Sequence, residues 1–136
     1  AGSLGSQLRT VEDIMLSGNK IPFIHENLKM KKALQILSKK KLGFLLIQDK
    51  KKLTKGIITD GELRRFSQKN QNFHNIPVKK IMTKNPIGIG KNELAAKALS
   101  LMNNKKITSL CVYEKKNRSK TIGVLHIHNI LQSNIT

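Results

Sequence analysis

Apolar residues recur along the chain with two different periods, and each pattern occurs twice. Met30, Ala33, Leu34 and Leu37 stand at i, i+3, i+4 and i+7, which places them on one face of a helix. Ala95, Ala98, Leu99 and Met102 repeat that spacing 65 residues later. Each predicted helix is followed by a short apolar run ending in an acid, KKLGFLLIQD (40–49) and KKITSLCVYE (105–114), which reads as a buried strand. DKKKLTK and EKKNRSKTI then read as hairpin loops. GIIT from Gly56 and GVLH from Gly123 open the second strand of each hairpin and run into a closing helix. Ahead of all this, VEDIM (11–15) recurs as VKKIM (78–82).

The chain is therefore an internal repeat of about 60 residues. Each unit reads short segment, helix, strand, hairpin, strand, helix. A hairpin with one helix cannot bury its apolar face alone, whereas two such units packed together can. The expected fold is α/β (α+β): two pseudo-symmetric repeats, each a small sheet with packed helices. The expected boundaries are an engineered scar or linker over 1–9, a first repeat over 10–68, a polar linker over 69–77 and a second repeat over 78–136.

Composition narrows the function classes. At 136 residues with 38% hydrophobic content, the chain is long enough for a sizeable core. No apolar run approaches the roughly 18 to 20 residues that span a bilayer, so no membrane partner is expected. The N-terminal AGSLGS has no basic stretch followed by an apolar one, as a signal peptide would. Cys111 is the only cysteine, which excludes an intramolecular disulfide and fits a reducing, cytoplasmic location. The net charge of +18 invites a nucleic-acid reading. It is discounted, because 22 of the 26 basic residues are Lys and no aromatic residue sits inside a basic cluster as a stacking platform. The runs Lys39–Lys41 and Lys50–Lys52 fall at a predicted helix end and a predicted hairpin turn, both solvated places.

VEDIM, KLGFLLI, GIITDGELRR, VKKIMTKNP, LAAKALSLM, KKITSL and GVLHIHNIL together resemble a tandem pair of cystathionine β-synthase (CBS) domains. Their wording is similar to the C-terminal pair of D-arabinose-5-phosphate isomerases of the KpsF/GutQ type. The resemblance implies a parent enzyme that interconverts D-ribulose 5-phosphate and D-arabinose 5-phosphate on the route to Kdo and lipopolysaccharide. Its chemistry would lie in an upstream sugar-isomerase domain. The resemblance also implies a regulatory module that binds nucleotides in clefts between repeats, with no further cofactor. It implies a homodimer formed through the pair and a tetrameric parent. Pathway logic suggests a CMP-Kdo-like nucleotide sugar as ligand; an adenine nucleotide is the other candidate. The chain itself has no Gly-rich phosphate cradle and no Ser/Thr-rich phosphate loop, so no catalytic residue is expected in it.

In many CBS domains the strand-to-helix corner places a hydroxyl toward a phosphate and an Asp on the ribose hydroxyls, and Thr59 and Glu62 occupy those positions here. The same residues also form a capping box, with Asp60 placed to suit the helix macrodipole, and this needs no ligand. Arg64 and Arg65 follow on the helix, either solvated or paired, or contacting an anion. In the second repeat His126 replaces the hydroxyl and Asn129 the acid, so both the ribose pattern and the capping box are expected to be lost. His126 and His128 should point to opposite sides if the strand persists, which disfavours a shared metal, and no metal site is expected. Either one His faces the surface or a partner, or His126 faces the cleft between repeats, where it would donate to a phosphate or carboxylate. Thr108 and Ser109 would add hydroxyls beside it, and Pro86 with Ile87 either pack in the core or wall a base. An oligomerisation scaffold without a small ligand is the alternative function.

Overall fold

The computed structural model describes residues 8–69, 72–114 and 117–133. Residues 1–7 of the expected N-terminal scar, two residues of the polar linker, two of the second hairpin loop and the last three of the second repeat lie outside them. In chain order the elements are α1 (Val11–Ile14), β1 (Leu16–Ser17), β2 (Phe23–His25), α2 (Met30–Lys40), β3 (Phe44–Gln48), β4 (Thr54–Thr59) and α3 (Asp60–Lys69). They continue with β5 (Thr83–Lys84), β6 (Gly88–Gly90), α4 (Ala95–Lys105), β7 (Ser109–Tyr113), β8 (Gly123–His126) and α5 (Ile127–Gln132). The fold is α+β, as expected, with two four-stranded sheets.

Two compact units divide the chain. One is Pro22–Pro86; the other joins the stretch up to Ile21 with Ile87 onward. The first holds the sheet β2–β3–β4–β5, the second the sheet β1–β8–β7–β6. In each sheet the two inner strands form an antiparallel hairpin, and the first strand of that hairpin pairs parallel with an outer strand. The remaining edge strand comes from the other sequence repeat: β1 pairs with β8, and β5 pairs with β4. Compact units and sequence repeats are thus different divisions of the chain, since each repeat lends its opening segment to the sheet of the other.

The second strand of the first hairpin begins at Thr54, two residues before the expected Gly56, and Gly56 within β4 and Gly123 at the start of β8 make this exchange possible. A Cβ on Gly56 would lie 2.7 Å from Met82 Cγ and 2.8 Å from the Thr83 carbonyl oxygen. A Cβ on Gly123 would lie 3.0 Å from the Leu16 carbonyl oxygen. The lent strand therefore passes directly over a residue that has no side chain. VEDIM and VKKIM recur because each delivers a methionine and a strand to this position.

The predicted helical faces are the buried ones. Met30, Ala33 and Leu37 join Leu45, Ile47 and Ile58 in one core. Ala95, Ala98 and Met102 join Leu110, Val112 and Leu125 in the other. Both helices end in a left-handed lysine, Lys41 and Lys106, at equivalent places. The polar linker is less detached than its composition suggests: Phe73 is buried, edge-on to Phe66 and stacked against His74. Lys39–Lys41 and Lys50–Lys52 are exposed.

Candidate functional site

Both strand-to-helix corners are built on the same backbone plan. In the unit of Pro22–Pro86, Phe44 of β3 faces Thr59 of β4, and the first residue of α3, Asp60, donates its N–H to the Gly43 carbonyl at 2.9 Å. In the other unit, Ser109 of β7 faces His126 of β8, and the first residue of α5, Ile127, donates to the Thr108 carbonyl at 2.8 Å. Thr108 and Ser109 thus stand where the first corner has Gly43 and Phe44, and only the second corner carries extra hydroxyls.

At the first corner Thr59 caps α3. Its hydroxyl oxygen accepts the Glu62 N–H at 3.2 Å and donates its proton to Glu62 Oε1 at 3.0 Å. The other carboxylate oxygen of Glu62 accepts the hydroxyl of Thr83, on the lent strand β5. The expected box is therefore modified: the carboxylate takes two threonine hydroxyls rather than returning to the cap N–H. Both oxygens have a partner within the protein. Thr83 was not visible as a site residue in the sequence, because a contact across 21 positions leaves no local spacing. Asp60 is exposed. Arg64 and Arg65 are exposed on α3 and meet no carboxylate among the described residues. The Arg65 guanidinium folds back over Gly61, where a Cβ would lie 3.4 Å from it.

The second corner corrects two expectations. A capping box is present: the His126 N–H donates to Asn129 Oδ1 at 2.8 Å, and His126 Nδ1 accepts the His128 N–H at 3.1 Å. The reason is geometric. Nδ1 stands as many bonds from the backbone as an asparagine oxygen, and an amide oxygen accepts as a carboxylate does. The strand also ends at His126, so the two imidazoles do not diverge; they stack with centroids 4.7 Å apart and planes 24° apart. Burial first, and the nearby His128 second, hold the His126 imidazole below the ordinary histidine pKa. The neutral ring is the form whose Nδ1 can accept.

Of the remaining candidates, Thr108 is exposed and Ser109 buried. Ile87 is 38% exposed while its carbonyl accepts the Cys111 N–H at 3.1 Å. Pro86 is half-buried in the unit of Pro22–Pro86. The structure brings Thr108, Ser109, His126, His128 and Asn129 to one corner and Thr59, Asp60 and Glu62 to the other. Among the described residues no three His, Cys, Asp or Glu side chains are grouped to hold a metal, and no helix is long and apolar enough to cross a membrane. Cys111 is buried, which pushes its thiol up to about 11 and keeps it protonated.

Comparison with known proteins agrees with this architecture. The chain is 36% identical over 135 residues to an uncharacterized protein of Rickettsia prowazekii, covering 99% of this chain and 41% of that protein. It is 34% identical over 135 residues to arabinose 5-phosphate isomerase KdsD of Yersinia pestis, covering 98% of this chain and 40% of the isomerase. The chain thus spans about two fifths of the length of these relatives. Among solved structures it superimposes on CBSX2 of Arabidopsis thaliana, determined in complex with AMP, with a TM-score of 0.81 at 22% identity over 93% of this chain and 96% of that one. Residues 11–69 and 78–134 each match the CBS domain model, and the chain belongs to the CBS domain family, which it carries as a tandem pair.

Proposed function

We propose that the chain is the ligand-sensing regulatory part of a D-arabinose-5-phosphate isomerase, and that it takes a nucleotide or nucleotide sugar at the corner of residues 108–109 and 126–129. The observation that carries the choice of corner is the difference in hydroxyl and carboxylate use. Glu62 has both carboxylate oxygens engaged by Thr59 and Thr83, whereas the second corner gathers Thr108, Ser109 and two imidazoles at one sheet end. Hydroxyls and a neutral or protonated imidazole suit a phosphate or carboxylate. Similarity to KdsD over 98% of the chain supports the parent activity, and AMP in the CBSX2 structure supports the ligand class. The parent would interconvert ribulose 5-phosphate and arabinose 5-phosphate in an upstream domain, in the cytoplasm, as a homodimer or tetramer, for Kdo and lipopolysaccharide synthesis. This part would not itself be catalytic.

The test is the thermal midpoint of the chain with AMP, ATP, CMP, CMP-Kdo and arabinose 5-phosphate. A ligand at 100 times its dissociation constant adds about 2.7 kcal/mol, a shift on the order of 10 °C for a chain this size. The expected result is a shift with one nucleotide class that Thr108→Ala with His126→Ala removes. No shift with any compound would sink the sensing role.

A second reading has its own support. The polar side chains Thr59, Glu62, His126 and Asn129 all have capping work within the protein. That is what a scaffold for oligomerisation without a small ligand would show. Ligand-blind thermal behaviour together with loss of assembly from the parent on deleting the pair would favour it.

A further inference from the structure

A groove of about 390 Å³ opens in the unit that contains β6, β7 and β8, and neither corner uses it. The register fixes its place. β7 has Ser109 opposite His126 at one end, while Tyr113, at the other end, pairs with Gly90 of β6. The groove lies at the Tyr113 end. The loop between β6 and α4, the Lys97 and Leu101 side chains of α4, and Arg118 from the hairpin loop complete it.

Its chemistry is uneven in a way that points to a ligand. A Cβ on Gly88 would lie 3.0 Å from two carbons of the Tyr113 ring, and one on Gly90 would lie 3.9 Å from a third. The ring therefore runs along a strand that has no side chains on that side. Arg118 stands over the ring, its Cζ 5.5 Å from the centroid, within cation–π range. The two lysines of the groove are matched: Lys97 lies 2.8 Å from Glu93, and Lys91 lies 3.5 Å from Glu12 and 3.4 Å from Glu114. Arg118 meets no carboxylate among the described residues. The groove thus offers a guanidinium fork without an acid, flanked by two ammonium groups, with the Glu93 carboxylate and the Asn92 amide beside them.

We propose that this groove binds a small phosphorylated polyol. The monoester would sit in the Arg118 fork, which matches phosphate geometry through two parallel hydrogen bonds. The hydroxyls would donate to Glu93 and Asn92, and the C–H face would rest on Leu101 and the Tyr113 edge. A nucleobase fits less well, because Arg118 already covers a face of the ring. The site is independent of the corner proposed above for nucleotides.

The protein carries its own probe. Tyr113 is the only tyrosine and there is no tryptophan, so excitation of the tyrosine band reports on this groove alone. Titration with ribose 5-phosphate should give a saturable emission change and matching heat in calorimetry. Ribose and inorganic phosphate, each lacking half of the recognition, should bind about tenfold more weakly or worse. Arg118→Ala should abolish the response, and His126→Ala should leave it intact. Absence of both emission change and heat up to about 10 mM ribose 5-phosphate would overturn the proposal. So would equal binding of inorganic phosphate, tighter binding of CMP in this groove, or a response that survives Arg118→Ala and is lost in His126→Ala.

Discussion

The corner at 56–62 and the corner at 123–129 share a backbone and differ in how they spend their polar atoms. In the first, the capping acid Glu62 is tied both to its own cap and to Thr83 on the lent strand, so helix start and strand exchange are one hydrogen-bonded unit. In the second, His126 and Asn129 cap each other, and the lent strand β1 pairs with β8 in the equivalent register but brings Leu16, which has no hydroxyl, where β5 brings Thr83. Duplication preserves what the backbone needs: a glycine under the lent strand, a cap and a buried strand. It leaves the chemistry of the cap free to change. The first corner has become a structural lock, and the second presents a titratable ring with two hydroxyl residues beside it.

If the scaffolds are equal, equivalent core truncations must cost the same. Ile58 and Leu125 occupy corresponding places in β4 and β8, at 1% and 0% exposure. Ile58→Ala and Leu125→Ala should each cost about 2–5 kcal/mol, a large share of a domain's usual stability. Urea unfolding of the two variants measures this. A clear inequality would mean that the two duplicated cores contribute unequally to stability.

The glycines sharpen the contrast at the next level. Gly56→Ala and Gly123→Ala should each cost about 1–3 kcal/mol, because the new methyl meets the backbone of the lent strand. Gly56→Ala should be the worse, since displacing Thr83 also disturbs its bond to Glu62. In a Thr83→Val background the excess of Gly56→Ala over Gly123→Ala should shrink. An unchanged excess would show that the hydroxyl contributes nothing to the lock.

These effects also mark what was legible in the sequence. The core faces of α2 and α4 were readable because a 3.6-residue period encodes burial directly, and β3 and β7 because a continuous apolar run suits a central strand. The exchange of β1 and β5 was not, since two-residue strands have no period. Its only trace was the recurrence of a Val-x-x-Ile-Met segment and of an opening glycine. Thr59 with Glu62 was readable from spacing; Thr83 was not. The cap role of His126 is not legible in the sequence because cap preferences rank side chains by frequency, whereas the acceptor at Nδ1 depends only on reach and protonation.

Cap removal is the smaller experiment. Thr59→Ala and Asn129→Ala should each cost about 1 kcal/mol, the usual value of an N-cap interaction. Thr83→Val should cost about the same by unpairing one Glu62 oxygen, and Thr59→Ala in that background should cost less than it does alone. Additive costs would mean that Glu62 serves the two hydroxyls separately.

Protonation should separate the corners most finely. The folded pKa of His126 lies below its ordinary value near 6.5, because burial and His128 disfavour the charged ring. Between the folded and unfolded values the unfolded chain holds more protons, so stability rises with pH across that window. The contribution of His126 is complete above the unfolded value and is lost as pH falls through the folded one. Structurally, protonation turns Nδ1 from an acceptor of the His128 N–H into a donor, which opens the cap of α5 while α3 keeps the hydroxyl cap of Thr59. Urea midpoints from pH 8 to pH 5 should therefore fall less steeply for His126→Asn, which retains an acceptor at the same reach but cannot titrate, than for the unaltered chain. Thr59→Ala should lower the midpoint at every pH without changing the slope. If His126→Asn left the slope intact, the titrating group would lie elsewhere, and the cap of the second corner would not be the source of the pH dependence.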